Sequence, residues 1–312
     1  YVPHLRSLQL FFLDYLQTAL RPFGFANKPP EKSADKPKTT ALSGLGIFTN
    51  GGGRAKEYVD KVNPEMVVLL GGNFDFAGSI PDSTIIVGRS YDQFPDTLPD
   101  DPSDVKTKLE TLMTQNPKVD VWQGYNEALY HLIDEKSWSE RDAFVWLTKH
   151  DTATIHAGIA KNKSVCIGNF KEGTPENLNG SYFKKYIADI NSEGAKAGNI
   201  KVYLCVHEHE RTTTNSDNWT FGQRYNGRFK EILSKGLNLP VLVTVSGFDS
   251  EAGPSVGSGK GWLGVIDSSI YLQMLLNYQK EAKAAGATSV AVFQVGLGGS
   301  WDPFDISSLL DL

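Results

Sequence analysis

The sequence predicts an α/β fold, a (β/α)8 TIM barrel, and three observations support this prediction. From about residue 41 onward, short apolar runs alternate with longer amphipathic segments, and eight such units can be counted. None of the apolar runs is obviously antiparallel to its neighbour, and a chain of 312 residues can bury a large core. Strands that alternate with helices in this way are typical of parallel barrels.

The eight apolar runs are the predicted strands, at residues 44–49, 66–70, 84–88, 119–123, 164–168, 201–206, 241–246 and 289–295. The predicted helices lie between most of them, near residues 52–62, 103–115, 138–160, 181–196, 221–235 and 268–285. A doubly wound open sheet is the alternative fold, but no Gly-x-Gly-x-x-Gly motif follows an early strand. The sequence Gly51-Gly-Gly53 is more simply explained as a turn than as a dinucleotide-binding motif.

The first forty residues differ from the rest of the chain. Residues 5–20 are apolar on more than one helical face and predict an N-terminal apolar helix, but they fall short of the roughly 20 apolar residues of a membrane span. We therefore expect this helix to pack under the barrel or against a protein partner, including a second copy of the chain. Residues 28–40 are charged and proline-rich, which predicts an exposed linker. The expected domains are thus 1–40, the helix and linker, and 41–312, the barrel.

The composition excludes one class of partner. The 31 basic and 36 acidic residues give a net charge of -5, without the basic excess expected of a nucleic-acid-binding protein. The two cysteines, Cys166 and Cys205, each lie in an apolar run, so we expect buried, unpaired thiols. The chain begins at Tyr1 rather than Met, which fits processing or a start further upstream.

Polar and aromatic residues follow the predicted strands, at the end where barrel enzymes place their sites. They are Asn73, Asp75, Arg89, Tyr91, Tyr125, Asn126, Glu127, Asn169, His207 to Glu210, Asp249, Gln294 and Trp301. Such a rim suits a polyhydroxylated ligand, because sugar hydroxyls need donors and acceptors while the apolar ring face stacks on an aromatic side chain. Carbohydrate is therefore the predicted ligand class, and no cofactor is predicted.

The segment His207-Glu-His-Glu210 also contains residue types that bind zinc. On a strand, His207 and His209 would share one face, but the helical His-Glu-x-x-His spacing is absent and no third ligand is evident in the sequence. We therefore predict a sugar contact, acid/base assistance or a structural hydrogen bond here, and no metal site.

Several short motifs occur in order between about residues 44 and 306. They are Trp122-Gln-Gly-Tyr-Asn-Glu127, Ile167-Gly-Asn-Phe170 with Pro175, Val206-His-Glu208, Arg224-Tyr225, Pro240 to Asp249, Gly261-Trp262, and Phe293 to Asp305. In this order they resemble the retaining glycoside hydrolases of clan A, a (β/α)8 superfamily, and more narrowly the cellulase-like barrels of bacterial and phage reading frames. The resemblance covers nearly the whole predicted barrel but not the first forty residues.

The resemblance implies roles for individual residues. The Asn-Glu pair that ends the fourth strand maps onto Asn126, a substrate contact, and Glu127, the general acid/base. The residues predicted to bind substrate with Asn126 are Trp122, Tyr125, Arg89, Asn169, His207, Asp249, Trp262, Gln294 and Trp301. The nucleophile of the superfamily is a Glu near the end of the seventh strand, and the position that aligns with it holds Val245.

A retaining glycosidase needs two carboxyl groups about 5 to 5.5 Å apart, and valine can neither attack nor protonate. Three explanations remain open. In the first, the alignment is out of register and Asp249 or Glu251 acts as the nucleophile. In the second, Glu208 or Glu210 activates a water molecule and the reaction inverts the anomeric configuration. In the third, the barrel has lost hydrolysis and kept sugar binding or a scaffolding role. We favour the last, a module of a larger extracellular or virion-associated assembly. The alternative is an active glycosidase that uses Glu127 with a non-standard second carboxylate.

Overall fold

Eight parallel strands close into a barrel in the computed structural model, which describes residues 42–71, 74–89, 101–210, 227–249 and 261–312. Each strand pairs with the next along the chain, and the last strand pairs with the first. The prediction of a (β/α)8 barrel is therefore confirmed. The predicted N-terminal helix and linker lie outside the described residues, as do Asn73, Tyr91, Glu251 and the side chain of Glu210.

The strands coincide with the predicted apolar runs. They are β1 (Gly46–Thr49), β2 (Met66–Leu70), β3 (Ile85–Arg89), β4 (Val121–Gln123), β5 (Ser164–Phe170), β6 (Val202–Glu210), β7 (Val241–Phe248) and β8 (Ala287–Val295). The largest difference is at the end of β6, which was predicted at residue 206 and lies at Glu210. The extra residues of β6 carry polar side chains, which an apolar run does not include.

Helices lie between most of the strands. They are α1 (Ala55–Val62), α2 (Val105–Gln115), α3 (Glu140–Lys161), α4 (Ser181–Ala195), α5 (Arg228–Ser234) and α6 (Ser268–Ala284), with short helical turns at Phe74–Ser79, Ala128–Tyr130, His131–Glu135, Gly299–Phe304 and Ser307–Asp311. The side chain of Ser139 caps α3 by accepting from the N–H of Asp142 at 3.1 Å, and Asp267 caps α6 in the same way. These caps satisfy N–H groups that have no partner within the helix. No helix in the described ranges has the length and apolar character needed to cross a membrane.

Side chains on the strands alternate between the barrel interior and the helical layer. The interior is filled by a separate apolar cluster, which consists of Phe48, Met66, Val68, Val87, Val121, Cys166, Tyr203, Cys205, Leu242, Val245 and Ala291. A larger cluster lies between the strands and the helices. The barrel is therefore a packed core, and a ligand would bind at the open end formed by the carboxyl ends of the strands, which we call the mouth.

Cys166 of β5 and Cys205 of β6 form a disulfide inside the barrel. Their Cα atoms are 5.6 Å apart, and both side chains are fully buried. Cys166 pairs in register with Tyr203, so Cys205 lies two residues further along the neighbouring strand and on the same face. The prediction of unpaired thiols is wrong, because burial in an apolar run does not reveal which residue of the adjacent strand faces the same side.

Candidate ligand-binding site

Glu127 follows β4 in an uncommon backbone conformation. Its φ of 49° and ψ of 30° lie in the left-handed region, which residues other than glycine rarely adopt. Its N–H donates to the carbonyl of Asn169 at 3.1 Å, and its own carbonyl accepts from the N–H of His131 at 3.1 Å. The side chain of Asn169 in turn donates to the carbonyl of Tyr125 at 3.2 Å. Contacts between the loop after β4 and the carboxyl end of β5 therefore hold the Glu127 backbone in place.

The Glu127 carboxylate is bound to His207 of β6. The Nδ1 atom of His207 lies 2.5 Å from Oε1 of Glu127, and the two side chains are 2% and 17% exposed, respectively. Burial raises the pKa of Glu127, but the hydrogen bond from His207 and the attraction of its ring once protonated at low pH, followed by the positive charges of Lys171 and Arg89, outweigh burial and lower this pKa to about 2. Glu127 is therefore ionised at neutral pH.

The two histidines of β6 are neutral at neutral pH. Burial lowers the pKa of His207, and its interaction with Glu127 offsets only part of this effect. Burial, followed by repulsion from the protonated form of His207, lowers the pKa of His209 to about 4. The neutral His207 ring donates its Nδ1–H to Glu127, which leaves Nε2 as an acceptor. Nε2 of His207 and Nδ1 of His209 are buried and have no hydrogen-bond partner within the described ranges.

Two cations flank the Glu127 carboxylate. Arg89 is the last residue of β3, and Lys171 is the first residue after β5. Burial lowers the pKa of Arg89 to about 10 against the opposing effect of Glu127, so the guanidinium stays charged at neutral pH. Its central carbon lies 5.5 Å from the ring centre of Phe48, and Nζ of Lys171 lies 3.4 Å from the ring centre of Tyr130. Aromatic faces thus support both cations.

Several buried amide groups near Glu127 have no hydrogen-bond partner among the described residues. They are both polar atoms of Gln123, Oδ1 of Asn126 and Oδ1 of Asn169. Gln123 lies on the same face of β4 as Val121, so it points into the barrel just below the mouth. Because buried polar atoms are nearly always hydrogen-bonded, these atoms are places where a ligand or water would bind.

Aromatic rings line the other side of the mouth, at β1 and β8. The ring of Phe293 lies 5.3 Å from that of Phe48, 5.2 Å from that of Trp301 and 5.4 Å from that of Phe304. Phe293 and Trp301 are partly exposed. The described part of the mouth is therefore asymmetric, with an apolar side at β1 and β8 and a polar, charged side from β3 to β6.

A buried network in the helical layer supports the loop that carries Glu127. On α3, Nε2 of His150 accepts from the N–H of Tyr125 at 3.0 Å, and Nδ1 of His150 lies 2.9 Å from Oδ1 of Asp151. The other oxygen of Asp151 accepts from the N–H of Gly168 at 3.1 Å and from the hydroxyl of Tyr186 at 2.7 Å. Both His150 and Asp151 are fully buried. The network thus ties α3 and α4 to the carboxyl ends of β4 and β5.

Val245, which aligns with the position of the nucleophile in clan A glycoside hydrolases, faces the barrel interior. Val245 of β7 is the register partner of His207, the residue that binds Glu127. Its side chain is 4% exposed and belongs to the interior cluster. An aliphatic side chain therefore lies at the level of the Glu127–His207 pair.

Glu208 points away from the mouth. Its carboxyl group accepts from the hydroxyl of Tyr278 on α6 at 2.5 Å and from the N–H of Phe229 on α5 at 3.5 Å. Burial raises the pKa of Glu208 to about 7, although these hydrogen bonds lower it. Glu208 thus lies between β6 and the helices, on the opposite face from His207, so it is not placed to act with Glu127. Asp249 directly follows β7 and is partly exposed.

The two tryptophans predicted as sugar contacts through the family resemblance are enclosed by packing. Trp122 is 0% exposed, and its ring lies 5.0 Å from that of Phe74 in the layer outside the barrel. Trp262 is 1% exposed and stacks on Tyr271 of α6 at 4.7 Å. Neither ring faces the mouth, because both belong to the cluster between the strands and the helices.

Two further predicted contacts have structural partners. The ring of Tyr125 lies 5.3 Å from that of His150, which directs it toward α3. The amide of Gln294 donates to the carbonyl of Trp301 at 2.8 Å and accepts from the N–H of Leu297 at 2.7 Å, so it orders the loop after β8. The structure thus brings together Arg89, Asn126, Glu127, Asn169, His207 and Trp301 around the mouth, and directs Trp122, Tyr125, Trp262 and Gln294 elsewhere.

Across the described ranges, no group of three or more His, Cys, Asp or Glu residues could hold a metal ion. Asp75, which was predicted to follow the second strand, is exposed on the helical turn Phe74–Ser79.

Sequence reasoning missed Lys171, Phe48 and the pair His150 and Asp151. Lys171 was overlooked because the fifth strand was ended at residue 168, whereas β5 continues to Phe170. Phe48 was taken only as a strand residue. The signal for His150 and Asp151 was their helical register with buried Leu147, which places two polar side chains on the apolar face of α3.

Fold and site together define a (β/α)8-barrel protein with a candidate binding site at the carboxyl ends of its strands. Among solved structures, an endo-laminarinase from Formosa Hel1_33_131 is 12% identical, with 88% of this chain and 85% of that chain covered and a TM-score of 0.47. A trimodular GH5_4 endoglucanase is 10% identical, with 90% and 62% covered and a TM-score of 0.48.

A putative alpha-L-fucosidase from Bacteroides thetaiotaomicron VPI-5482 is 11% identical, with 90% of this chain and 97% of that chain covered and a TM-score of 0.47. No protein-family model matches the sequence, and no curated protein matches it. At these identities and TM-scores the likeness concerns the barrel and carries no argument about function.

Proposed function

We propose that this protein is a glycoside-hydrolase-like barrel that binds carbohydrate at its mouth and does not carry out the retaining double displacement. The observation that carries this proposal is the pairing of Glu127 with His207 at the level of Val245. The carboxylate of Glu127, in the acid/base position, is hydrogen-bonded to the imidazole of His207, and the side chain of Val245, in the nucleophile position, is aliphatic.

The ionisation of Glu127 supports this view. A general acid must hold a proton near the working pH, whereas the pKa of Glu127 is lowered to about 2. In a retaining glycosidase, the negative charge of a neighbouring nucleophile would raise the pKa of the acid. Valine supplies no such charge, so Glu127 lacks its proton, and the aligned position on β7 gives it no partner carboxylate.

The mouth nevertheless retains the chemistry of sugar recognition. Phe293 and Trp301 offer a partly exposed apolar surface, and a sugar ring can stack on such a surface through its C–H groups. Across the mouth, the unpartnered amide atoms of Gln123, Asn126 and Asn169 supply donors and acceptors for hydroxyl groups. An apolar wall that faces a few convergent polar groups is typical of small-ligand sites.

Binding can be tested with a glycan array followed by calorimetry on each glycan that binds. Trp301→Ala should weaken binding roughly tenfold through the loss of stacking, and Gln123→Ala should weaken it through lost hydrogen bonds. Glu65→Gln is the matched control, since Glu65 precedes β2 at the opposite end of the barrel and should leave binding unchanged. Binding that survives both mouth substitutions would contradict the proposed site.

Hydrolysis is tested with aryl glycosides and polysaccharides. We expect no release of product above the enzyme-free rate. Turnover by the wild-type protein that vanishes in Glu127→Gln but persists in Glu65→Gln would overturn the proposal and favour an active glycosidase. The anomeric form of the product would then distinguish retention from inversion. It would thus show whether the second carboxylate acts as a nucleophile or as a general base.

The disulfide supports an extracellular location. Disulfides form and persist in oxidising compartments and are rare in the cytosol, and this one links adjacent strands of the barrel. Protein isolated from its natural source should react with a thiol reagent after denaturation only if it is first reduced. Quantitative labelling of Cys166 and Cys205 without reduction would contradict the proposed location.

A further inference from the structure

We propose that the mouth selects an anionic sugar residue, a uronic acid or a sulfated sugar, whose negative group binds between Arg89 and Lys171. This inference rests on the proposed sugar-binding function and adds the chemical class of the ligand. It depends on three features of the mouth: a guanidinium whose Nε atom is buried without a hydrogen-bond partner, two cations that act on a single carboxylate, and the location of Arg89 beside the aromatic surface.

Arg89 is a partly buried charge with unused hydrogen-bonding capacity. Its Nε atom is buried and has no hydrogen-bond partner, and no ion pair of its guanidinium occurs among the described residues. Burying a charge without a partner costs several kcal/mol in proteins. The planar guanidinium matches carboxylate and sulfate oxygens in two parallel hydrogen bonds, so an anionic ligand would supply the missing partner.

The charges around Glu127 do not cancel. Arg89 and Lys171 both act electrostatically on this carboxylate, and the neighbouring His207 and His209 are neutral at neutral pH. Two positive charges therefore act on the single negative charge of Glu127. The Glu127 carboxylate is bound to His207, which leaves the two cations to interact with a ligand.

Arg89 lies where a stacked sugar could reach it. The Arg89 guanidinium lies over Phe48, whose ring contacts that of Phe293, and Phe293 contacts Trp301. This continuous surface connects the stacking side of the mouth with the guanidinium. A ring stacked on Trp301 or Phe293 would therefore extend an exocyclic substituent, such as a C6 carboxylate or a 6-sulfate, toward the charged side.

The test uses tetrasaccharides of glucose, galactose and mannose, each prepared in three forms that differ only at C6. The neutral form carries the hydroxymethyl group, the second form a carboxylate and the third a sulfate. Binding to the wild-type protein is measured by calorimetry at neutral pH. At least one anionic form should bind roughly tenfold more tightly than its neutral counterpart, the gain expected of a charge-assisted hydrogen bond. The preference between carboxylate and sulfate distinguishes the two sources of negative charge.

Arg89→Gln and Lys171→Gln should each remove most of the preference for the anionic form while the neutral form still binds. Lys184→Gln on α4 is the matched control, since Lys184 is exposed and should leave the preference intact. The preference should also shrink at about 1 M salt, where the Debye length falls to about 3 Å.

Equal binding of neutral and anionic forms would overturn this inference and leave the proposed function standing. A preference that survives both Arg89→Gln and Lys171→Gln would overturn it as well, because other residues would then recognise the anion. If no tetrasaccharide of any form binds, both this inference and the proposed sugar-binding function fail.

Discussion

Nδ1 of His207 lies 2.5 Å from Oε1 of Glu127, and this contact joins the carboxyl ends of β4 and β6 across two strand positions of the barrel. It explains how a carboxylate that is only 17% exposed can remain ionised. It also sets the chemistry of the mouth, because an ionised Glu127 can accept a hydrogen bond or a proton but cannot donate one.

The first prediction concerns acid stability. A carboxyl group whose pKa is lower in the folded than in the unfolded protein stabilises the fold above its unfolded pKa, and this contribution is lost as the pH falls through the folded value. For Glu127 the window runs from about pH 4.5 down to about pH 2. Across it, the free energy of unfolding of the wild type should fall relative to that of Glu127→Gln, measured by urea denaturation.

His207→Ala is the companion variant for this measurement. It removes the hydrogen bond that lowers the pKa of Glu127, so the lower end of the window should move to higher pH and the window should narrow. Parallel stability curves for the wild type and Glu127→Gln would show that the contact does not lower this pKa.

The second prediction concerns Val245. Val245→Glu would place a carboxylate at the level of the Glu127–His207 pair, where it would raise the pKa of Glu127 and could attack an anomeric carbon. We expect hydrolysis of activated aryl glycosides roughly tenfold or more above the wild-type rate, a small part of what a nucleophile contributes. Val245→Gln is similar in size without the charge and should stay inactive. Equal rates in the two variants would exclude nucleophilic rescue.

The fold was predictable because its signals are local. The runs that became β2, β7 and β8 are apolar and bounded by polar segments, so chain order alone indicated the parallel barrel. Asn126 and Glu127 were found at the mouth for the same reason, since they directly follow a strand. The Glu127–His207 contact was not predictable, because it joins residues 80 positions apart and depends on which face of β6 each side chain occupies.

The direction of individual side chains could not be read from position along the chain. Glu208 and His207 are adjacent in sequence, yet one packs against Tyr278 in the helical layer and the other binds Glu127. Trp122 likewise precedes Gln123, and only Gln123 points into the barrel. A shift of one residue in strand register reverses the face of every side chain, and apolar residues occupy both faces of these buried strands.

The third prediction concerns the network behind the mouth. Asp151→Asn replaces an acceptor oxygen with a donor, so one of the buried donors it now serves, in His150, Gly168 or Tyr186, loses its acceptor. Because an unsatisfied donor would remain fully buried, we expect a loss of about 1 to 3 kcal/mol in the free energy of unfolding. Tyr186→Phe removes a single hydrogen bond without leaving a donor unsatisfied and should cost about 0.5 to 1.5 kcal/mol. Chemical denaturation measures both, and equal losses in the two variants would contradict a central role for Asp151.

The fourth prediction concerns Glu208 and Tyr278, whose contact has the opposite pH dependence. Burial raises the pKa of Glu208 from 4.5 to about 7, so the folded protein retains a proton that the unfolded chain releases. A carboxyl group with a raised pKa contributes stability that is fully present below its unfolded pKa and is lost as the pH rises through the folded value. Between about pH 4.5 and about pH 7, the wild type should therefore lose on the order of 3 kcal/mol relative to Glu208→Gln.

Glu208→Gln stays uncharged at every pH in this window, so its unfolding curve supplies the reference. Tyr278→Phe sharpens the test, because the Tyr278 hydroxyl lowers the pKa of Glu208 and its removal should extend the loss of stability to higher pH. If stability relative to Glu208→Gln instead rose with pH across this window, Glu208 would be an ionised group in the folded protein. It would then need a positively charged partner, and its assignment to the packing between β6 and α6 would have to be abandoned.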